Sequence, residues 1–197
     1  MTSPGSSRYE EVVLASTSAA RKTLLSALGV PFRVVAPEVD EHLLPHMTAR
    51  QGASVLAERK ARAVAKRFPL ALVIGADQIA SVDGALLNKP ADEAEAMSQL
   101  SRLSGKTHEL CTGLCVMGPG YFVCELDVVR LTMFPLSEDQ LRRYVALGEW
   151  KGCAGSYRIE GRGQALFSSV DGDRSSIMGL PMARLIRSFK EAELPLF

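Results

Sequence analysis

The sequence predicts an α/β fold in which a mixed sheet is flanked by helices. Segments with strand and helix periodicity alternate early, hairpin signals fill the middle of the chain, and the alternation returns late. Alternation favours parallel strands joined by helices, whereas hairpins add antiparallel neighbours to the same sheet. At 197 residues and 47% hydrophobic content, the chain can bury the core of one domain. We assign that domain to 10–197 and expect the Ser/Gly/Pro-rich leader at 1–9 to be disordered.

A strand that runs into a helix is predicted over 12–28. An apolar run ends in three consecutive hydroxyl residues, and Ser18 has the position of a helix N-cap, whose side-chain oxygen accepts from a free backbone amide. Gly29 follows, and glycine commonly ends a helix because it adopts the left-handed conformation. The same stretch therefore closes a buried strand and opens a helix.

The other elements follow from caps, periodicity and turn residues. A capping box, Ser-Glu-Asp-Gln, predicts a helix starting at Ser137. Further helices are predicted at 48–67, at 92–104 and within 177–192 from their apolar spacing. The strands are predicted at 32–36, 72–76, 79–82, 85–87, 107–117, 121–134 and 164–170, where Asp-Gly and Gly-Pro-Gly mark two hairpin turns.

Composition argues against two classes of protein. The chain has 23 basic and 22 acidic side chains, a net charge of +1, so an extended nucleic-acid surface is not expected. It has no run of about 18 apolar residues, which a membrane-spanning helix needs. The four cysteines form no Cys-x-x-Cys pair, and a chain of this size does not need disulfides, so we predict buried free thiols and a cytoplasmic protein.

The first helix start has the chemistry of an anion site. Arg21 and Lys22 stand in its first turn, where the helix dipole disfavours cations. This arrangement is explained if an external phosphate binds between the free amides and the cations. Ser16 and Ser18 would add hydroxyl groups to that site. The alternative is that these hydroxyl residues only cap the helix.

Carboxylates follow two other predicted strands. Glu38, Asp40 and Glu41 lie within four residues of one another after one strand, and Asp77 comes directly after another. Ligands of open α/β sheets bind at such strand ends. Carboxylates there could hold Mg²⁺ or Mn²⁺, which also binds phosphate oxygens, and one could deprotonate a water. With Lys60 and Lys89 nearby, the set suits phosphoanhydride hydrolysis, although the loop carboxylates and Lys60 could equally be solvated surface groups.

These residues together resemble the Maf family of nucleoside triphosphate pyrophosphatases, over nearly the whole chain after the leader. The matching stretches are LASTS at 14–18, APEVDE at 36–41, LA at 56–57, KA at 60–61, IGADQ at 74–78, KP at 89–90, LSG at 103–105, CAGS at 153–156, EG at 160–161 and GLP at 179–181. No single stretch is decisive, but their order is specific.

The resemblance implies a metal-dependent enzyme that cuts a nucleoside triphosphate between its α- and β-phosphates. It implies an elongated, two-lobed α/β architecture with a central cleft, like that of inosine triphosphatases, and often a homodimer. Asp77 matches the proton acceptor, and Glu41 a metal-binding or catalytic carboxylate. The residues that match phosphate contacts are Ser16, Arg21, Lys60 and Lys89.

Within that family the chain is more similar to the 7-methyl-GTP branch than to the dTTP/UTP branch. Gln78 and Glu160 match the 7-methyl-GTP branch, and a carboxylate such as Glu160 could accept from both the N1–H and the amine of a guanine. Ala19 and Ala20 depart from it, because that branch has Pro-Trp or Pro-Arg there. Losing a tryptophan removes a stacking platform for a cationic base, worth about 1–2 kcal/mol. A second departure is the order Glu-Arg-Lys at 58–60, where the family has Arg-Glu-Lys.

Two alternative functions would use the residues of the cleft differently. A dTTP/UTP pyrophosphatase would use the same phosphate site with another base. A non-catalytic nucleotide-binding or nucleic-acid-binding regulator of cell division, as the family's older name of septum formation inhibitor suggests, would need no water-activating Asp77.

Overall fold

The computed structural model describes residues 8–196, and within them a single mixed sheet of seven strands confirms the predicted fold class. The strands are β1 (Val12–Ala15), β2 (Phe32–Val34), β3 (Leu72–Val82), β4 (Ala85–Leu87), β5 (Thr107–Gly118), β6 (Tyr121–Met133) and β7 (Phe167–Asp171). The helices are α1 (Ala19–Ser26), α2 (Ala49–Ala65), α3 (Glu93–Leu103), α4 (Glu138–Val145), α5 (Arg174–Ile177) and α6 (Met182–Glu191), with a 3-10 helix at Arg162–Leu166.

The sheet has the order β2-β1-β3-β5-β6-β7, with β4 paired to β3. Strands β2, β1 and β3 are parallel, and β5, β6 and β7 continue the sheet as antiparallel neighbours. This agrees with the parallel pairs expected from the early alternation and the antiparallel pairs expected from the hairpins. Among residues 8–196, no helix has both the length and the apolar character needed to cross a membrane.

Strand β3 corrects one prediction. The segments 72–76 and 79–82 were predicted as separate strands, whereas they form one continuous strand that passes through Asp77 and Gln78. The reason is β5, which pairs with β3 along its length and places Gly113 opposite Asp77. Strand β1, by contrast, ends opposite Gly75. Asp77 therefore lies in the middle of a strand, just beyond the point where one of its two neighbours stops.

Helix α2 lies unusually close to the sheet. A Cβ atom at Gly75 would come within 2.4 Å of the Ala57 carbonyl oxygen, and one at Gly113 within 2.2 Å of the Ala53 carbonyl oxygen. Only glycine fits at these two strand positions, because a backbone atom of the helix occupies the space of a side chain. The close approach brings Lys60, one turn further along α2, to the strand that carries Asp77.

The apolar core consists of several clusters packed along the sheet. One cluster packs Leu185 and Phe189 of α6 against strand residues that include Ile74. Another packs α3 and α4 against β5 and β6 and includes Trp150. Tyr9 is 4% exposed and belongs to the first of these clusters, so the predicted leader is wrong at that residue. The rest of that prediction, at 1–7, lies outside the described residues.

The cysteines correct a further prediction. Cys115 and Cys124 are directly opposite each other on β5 and β6, with their Cα atoms 4.1 Å apart, and they form a disulfide. Cys111 is free and buried, as predicted, whereas Cys153 is free but only partly buried. A search for closely spaced cysteines could not find this pair, because the register of the hairpin, rather than proximity along the chain, brings the two sulfur atoms together.

The C-terminal elements are more divided than the sequence indicated. The strand predicted at 164–170 begins as the 3-10 helix and becomes extended only at Phe167. The helical region within 177–192 separates into the end of α5 and the whole of α6, with a turn at 178–181 between them. The predicted caps at Ser18 and Ser137 are confirmed, since each side chain accepts from the expected backbone amide.

Candidate active site

One cleft brings together all ten residues that the sequence assigned to catalysis or substrate binding. Its volume is about 660 Å³, which is in the range of about 300–1,000 Å³ typical of small-molecule sites. The structure thus establishes that the residues are neighbours, and their individual roles stay predictions. The ten are Ser16, Ser18, Ala20, Arg21, Glu41, Lys60, Asp77, Gln78, Lys89 and Glu160.

The hydroxyl-rich turn after β1 forms the end of the cleft suited to an anion. Arg21 Nη1 donates to Ser16 Oγ at 3.1 Å, and the same oxygen accepts from the backbone amide of Ser18 at 3.2 Å. Desolvation lowers the pKa of the Arg21 guanidinium, while the carboxylates of Asp77 and Glu41 oppose that shift. Lys22 is exposed and does not line the cleft, so Arg21 is the cation that the turn directs inward.

Lys60 connects two of the carboxylates that line the cleft. Its Nζ lies 2.5 Å from Asp77 Oδ1 and 2.8 Å from Glu41 Oε1. The Lys60 and Asp77 side chains are only 7% and 10% exposed, whereas that of Glu41 is 60% exposed. A buried lysine is stable where opposite charges surround it. This ion-pair triad places a basic and an acidic group side by side at the centre of the cleft.

The loop that carries Glu41 is attached to α2 by an arginine. Arg59 Nη1 donates to the carbonyl oxygens of Asp40 and His42 at 3.3 and 3.0 Å, which lie on either side of Glu41. The carboxylate of Asp40 accepts from the backbone amide and contacts the ring of His42, and these bonds lower the pKa of Asp40. Neither Glu38 nor Asp40 lines the cleft, so Glu41 is the acid of this loop that reaches the site.

Lys89 enters the cleft from the loop after β4, where it is exposed. Buried Gln99 of α3 donates to the carbonyl of Asn88 at 3.0 Å and accepts from Ser156 at 2.8 Å. The Lys89 loop is thereby joined to the segment that carries Tyr157, another residue of the cleft wall. Sequence reasoning missed Gln99, whose only signal is a buried-face position in an otherwise apolar helical pattern.

A buried histidine supports that wall from behind. His108 is 1% exposed, its Nε2 lies 2.7 Å from the Tyr157 hydroxyl, and its ring packs edge-on against Tyr157. Burial lowers the pKa of His108 to about 4. The histidine is therefore neutral at physiological pH and has a structural role.

The cleft also contains the residues that matched a base site. Gln78 and Glu160 both line it, and the Glu160 carboxylate lies 3.8 Å from Arg158 Nε. Ala20 lines it as well but offers only a methyl group. The site thus contains polar groups that can recognise hydrogen bonds and has no aromatic ring at position 20 on which a base could stack.

Two carboxylates are available for a metal ion. Among residues 8–196 no group of three or more His, Cys, Asp or Glu could hold one without other ligands. Mg²⁺ commonly uses one or two carboxylates together with substrate phosphates. Glu41 and Asp77 meet that need, because the contacts to Lys60 leave each a second oxygen. The donor set fits a metal that binds together with a phosphate ligand.

Comparison with known proteins agrees with the resemblance noted in the sequence. The family model described as Maf-like protein matches residues 11–192. A relative from Symbiobacterium thermophilum named dTTP/UTP pyrophosphatase is 44% identical over 95% of this chain and 97% of its own length. A relative from Xanthomonas campestris named 7-methyl-GTP pyrophosphatase is 42% identical over 92% and 95% of the two chains.

A solved structure shares the fold. The Staphylococcus aureus Ham1 protein superposes with a TM-score of 0.52 over 93% of this chain and 100% of its own, at 16% sequence identity. At that identity the similarity concerns the architecture alone and agrees with the mixed sheet described above. The family match, by contrast, extends over nearly the entire sequence and includes every residue of the cleft. The chain belongs to the Maf family.

Proposed function

We propose that the protein hydrolyses a nucleoside triphosphate between its α- and β-phosphates and releases a nucleoside monophosphate and pyrophosphate. The observation that carries this proposal is the triad in which Lys60 Nζ lies 2.5 Å from Asp77 and 2.8 Å from Glu41. This triad lines the same cleft as the turn of Ser16 and Arg21, to which we assign anion binding. The relatives named dTTP/UTP and 7-methyl-GTP pyrophosphatase support the same reaction class.

The cations and hydroxyls of the cleft would bind the triphosphate. Arg21 is held in the turn by Ser16 and can form charge-assisted hydrogen bonds to phosphate oxygens. Lys89 approaches from the β4 side, so positive charge meets the phosphate chain from two directions. These contacts would orient the α-phosphorus and stabilise the charge that develops on the pyrophosphate leaving group.

Asp77 would accept the proton of the attacking water. One of its oxygens is engaged by Lys60, which holds the carboxylate in place, and the two lone pairs of the other oxygen can serve the water and the metal ion. The water would attack the α-phosphorus while the bond to the bridging oxygen breaks. Asp77 takes one proton from the water, and the pyrophosphate leaves opposite the new P–O bond.

Glu41 and Asp77 would also hold a divalent cation, Mg²⁺ or Mn²⁺, that enters with the nucleotide. When bound, such a cation neutralises phosphate charge and polarises phosphoryl oxygens. Glu41 suits this role because its side chain is 60% exposed to the cleft and its loop is anchored by Arg59. We expect no hydrolysis in the presence of a chelator.

We propose 7-methyl-GTP, or another modified purine triphosphate, as the substrate. Glu160 places a carboxylate on the wall of the cleft, and a guanine offers it an N1–H and an amine in a bidentate arrangement. A pyrimidine triphosphate is the second candidate, because Ala20 provides no stacking surface and a 44% identical relative is named for dTTP and UTP.

The proposal also includes the cellular compartment and the oligomeric state of the enzyme. Nucleoside triphosphates are cytoplasmic metabolites, so we propose a cytoplasmic enzyme and expect a homodimer, which light scattering would test. The rival reading is a regulator that binds a nucleotide without turning it over. It predicts tight binding with metal present and no product.

The deciding experiment measures products from a panel of triphosphates that includes 7-methyl-GTP, GTP, dTTP and UTP, with Mg²⁺ or Mn²⁺. We expect equal amounts of nucleoside monophosphate and pyrophosphate. In water enriched in heavy oxygen, the label should enter the monophosphate, because the α-phosphorus is attacked. Release of inorganic phosphate, label in pyrophosphate, or no turnover of any nucleotide would each contradict the proposal.

A further inference from the structure

Both N–H groups of the Gln78 side-chain amide are used in hydrogen bonds within the protein. Gln78 Nε2 donates toward Thr112 Oγ1 at 3.0 Å, the Ser176 carbonyl at 2.7 Å and the Ile177 carbonyl at 3.0 Å. The acceptors come from β5 and from the last turn of α5. A primary amide has two N–H groups, so these three acceptors share both of its protons.

The same contacts determine which end of the amide faces the ligand. The Thr112 hydroxyl donates its single proton to the Ser176 carbonyl at 2.9 Å, and so it can only accept from Gln78. If the amide were flipped, its oxygen would face two carbonyl oxygens and a hydroxyl with no proton to give. Among residues 8–196, no hydrogen bond to Gln78 Oε1 is present, so this oxygen is free for a ligand in the cleft that Gln78 lines.

The parts that hold the amide are themselves rigid. Thr112 is 0% exposed and lies directly opposite Gln78 in the β3–β5 register. Ser176 is also 0% exposed, and its backbone is held by the N-cap of α5. This network keeps one geometry, because a rearrangement would leave the buried N–H groups of Gln78 or the hydroxyl proton of Thr112 without an acceptor.

We propose that Thr112 is a positioning residue that fixes the Gln78 amide with its oxygen toward the base of the substrate. The substrate part of this inference rests on the proposed function. Gln78 then presents an acceptor in the cleft that the Glu160 carboxylate also lines. Two acceptors suit a base edge with two donors, such as the N1–H and amine of a guanine, and suit a uracil or thymine less, since these rings have one N–H.

The functional test compares base selectivity, measured as the ratio of kcat/KM for the guanine nucleotide to that for a pyrimidine triphosphate. Thr112→Val removes the hydroxyl and should lower this ratio about tenfold, the size of one buried hydrogen bond. Thr112→Ser keeps the hydroxyl and should restore it. Thr107→Val is the matched control, because Thr107 lies on the same strand and, within the described part of the chain, its hydroxyl bonds to Thr132 alone.

A second readout does not depend on turnover. The side-chain amide signal of Gln78, identified by its disappearance in Gln78→Leu, should show slowed hydrogen exchange in the wild type and in Thr112→Ser. In Thr112→Val the exchange should accelerate, while the melting temperature reports whether that variant is folded.

The two readouts separate the two proposals. If no triphosphate is hydrolysed, the proposed function fails, and the amide exchange still decides whether Thr112 fixes Gln78. Unchanged exchange in a folded Thr112→Val variant would overturn the positioning role. Unchanged selectivity in an active Thr112→Val enzyme would overturn its effect on base choice.

Discussion

Arg21 and Gly179 are 158 positions apart in the sequence, and the Arg21 Nε donates to the Gly179 carbonyl at 2.8 Å. This bond fixes the plane of the guanidinium, whose Nη1 is then able to reach Ser16. Gly179 has a φ of +92°, and a Cβ there would lie 3.1 Å from Arg21 Nε. The turn between α5 and α6 therefore orients the cation that we assign to the triphosphate.

We expect Gly179→Ala to weaken substrate binding as well as stability. The positive φ should cost about 1–2 kcal/mol for a residue with a Cβ, and the added methyl group should displace Arg21 and raise KM. Gly84→Ala is the control, because Gly84 has a φ of +78° and nothing within 4 Å of the same methyl position. Denaturant unfolding should show a lower free energy of unfolding for both variants, whereas only Gly179→Ala should change KM. Equal KM values would show that the Arg21 contact does not matter for binding.

Asp77→Asn should abolish most of the turnover while the protein stays folded. Loss of a general base lowers kcat by about 100- to 10,000-fold. Asp83→Asn, in the exposed turn after β3, removes a carboxylate that pairs with Lys106 alone among residues 8–196 and should have no effect on kcat. Steady-state pyrophosphate release measures both. An Asp77→Asn enzyme with wild-type kcat would exclude Asp77 as the base.

Arg59→Gln should change the metal requirement more than the maximal rate. Without the guanidinium, the carbonyl groups on both sides of Glu41 lose their anchor, and loss of such outer contacts typically weakens metal binding by about 10- to 100-fold. The Mg²⁺ concentration for half-maximal activity should rise accordingly, with kcat at saturating Mg²⁺ preserved. Arg62→Gln is the control, since Arg62 pairs with Glu58 on the outer face of α2. A Mg²⁺ titration that is identical for both variants would refute the anchoring role.

Acid should destabilise the protein through His108. Burial lowers the pKa of this histidine from 6.5 to about 4 in the folded state, so the unfolded chain binds more protons between these two values. Stability from the neutral histidine is therefore present above pH 6.5 and decreases as the pH falls toward 4, by up to about 3 kcal/mol.

Denaturant unfolding at several pH values measures this contribution. In His108→Phe the decrease in unfolding free energy between pH 7 and pH 4 should be smaller than in the wild type. His46→Asn replaces an exposed histidine and should keep the wild-type pH dependence. A His108→Phe curve parallel to that of the wild type would show that His108 is not the group responsible.

Several features of the site could be predicted because they depend on neighbours in the sequence. The Ser18 cap is an interaction across three residues, and the capping box at Ser137 spans the same distance. The alternation of strand and helix patterns likewise predicted the mixed sheet. The position of Asp77 after an apolar run predicted a carboxylate in the cleft, and the structure places Asp77 there even though the strand continues beyond it.

Other features depended on register, which local patterns do not encode. Because β5 pairs with β3 along its length, the two strands predicted at 72–76 and 79–82 form one strand. The same pairing places Thr112 opposite Gln78. The pairing of β5 with β6 joins Cys115 to Cys124, against the prediction of free thiols. In each case the partner is fixed by the alignment of strands, and no spacing along the chain reveals it.

The sequence by itself determined the fold class, the family, and the set of residues that surround the cleft. Caps, apolar periodicity and motif order are local or cumulative signals, and they persist whatever the chain packs against. Only the tertiary structure decided how those residues are held: Lys60 between two carboxylates, Arg21 on the Gly179 carbonyl, and Gln78 with its oxygen free. These orientations arise from hydrogen bonds between distant segments, which form only when the sheet brings the segments together.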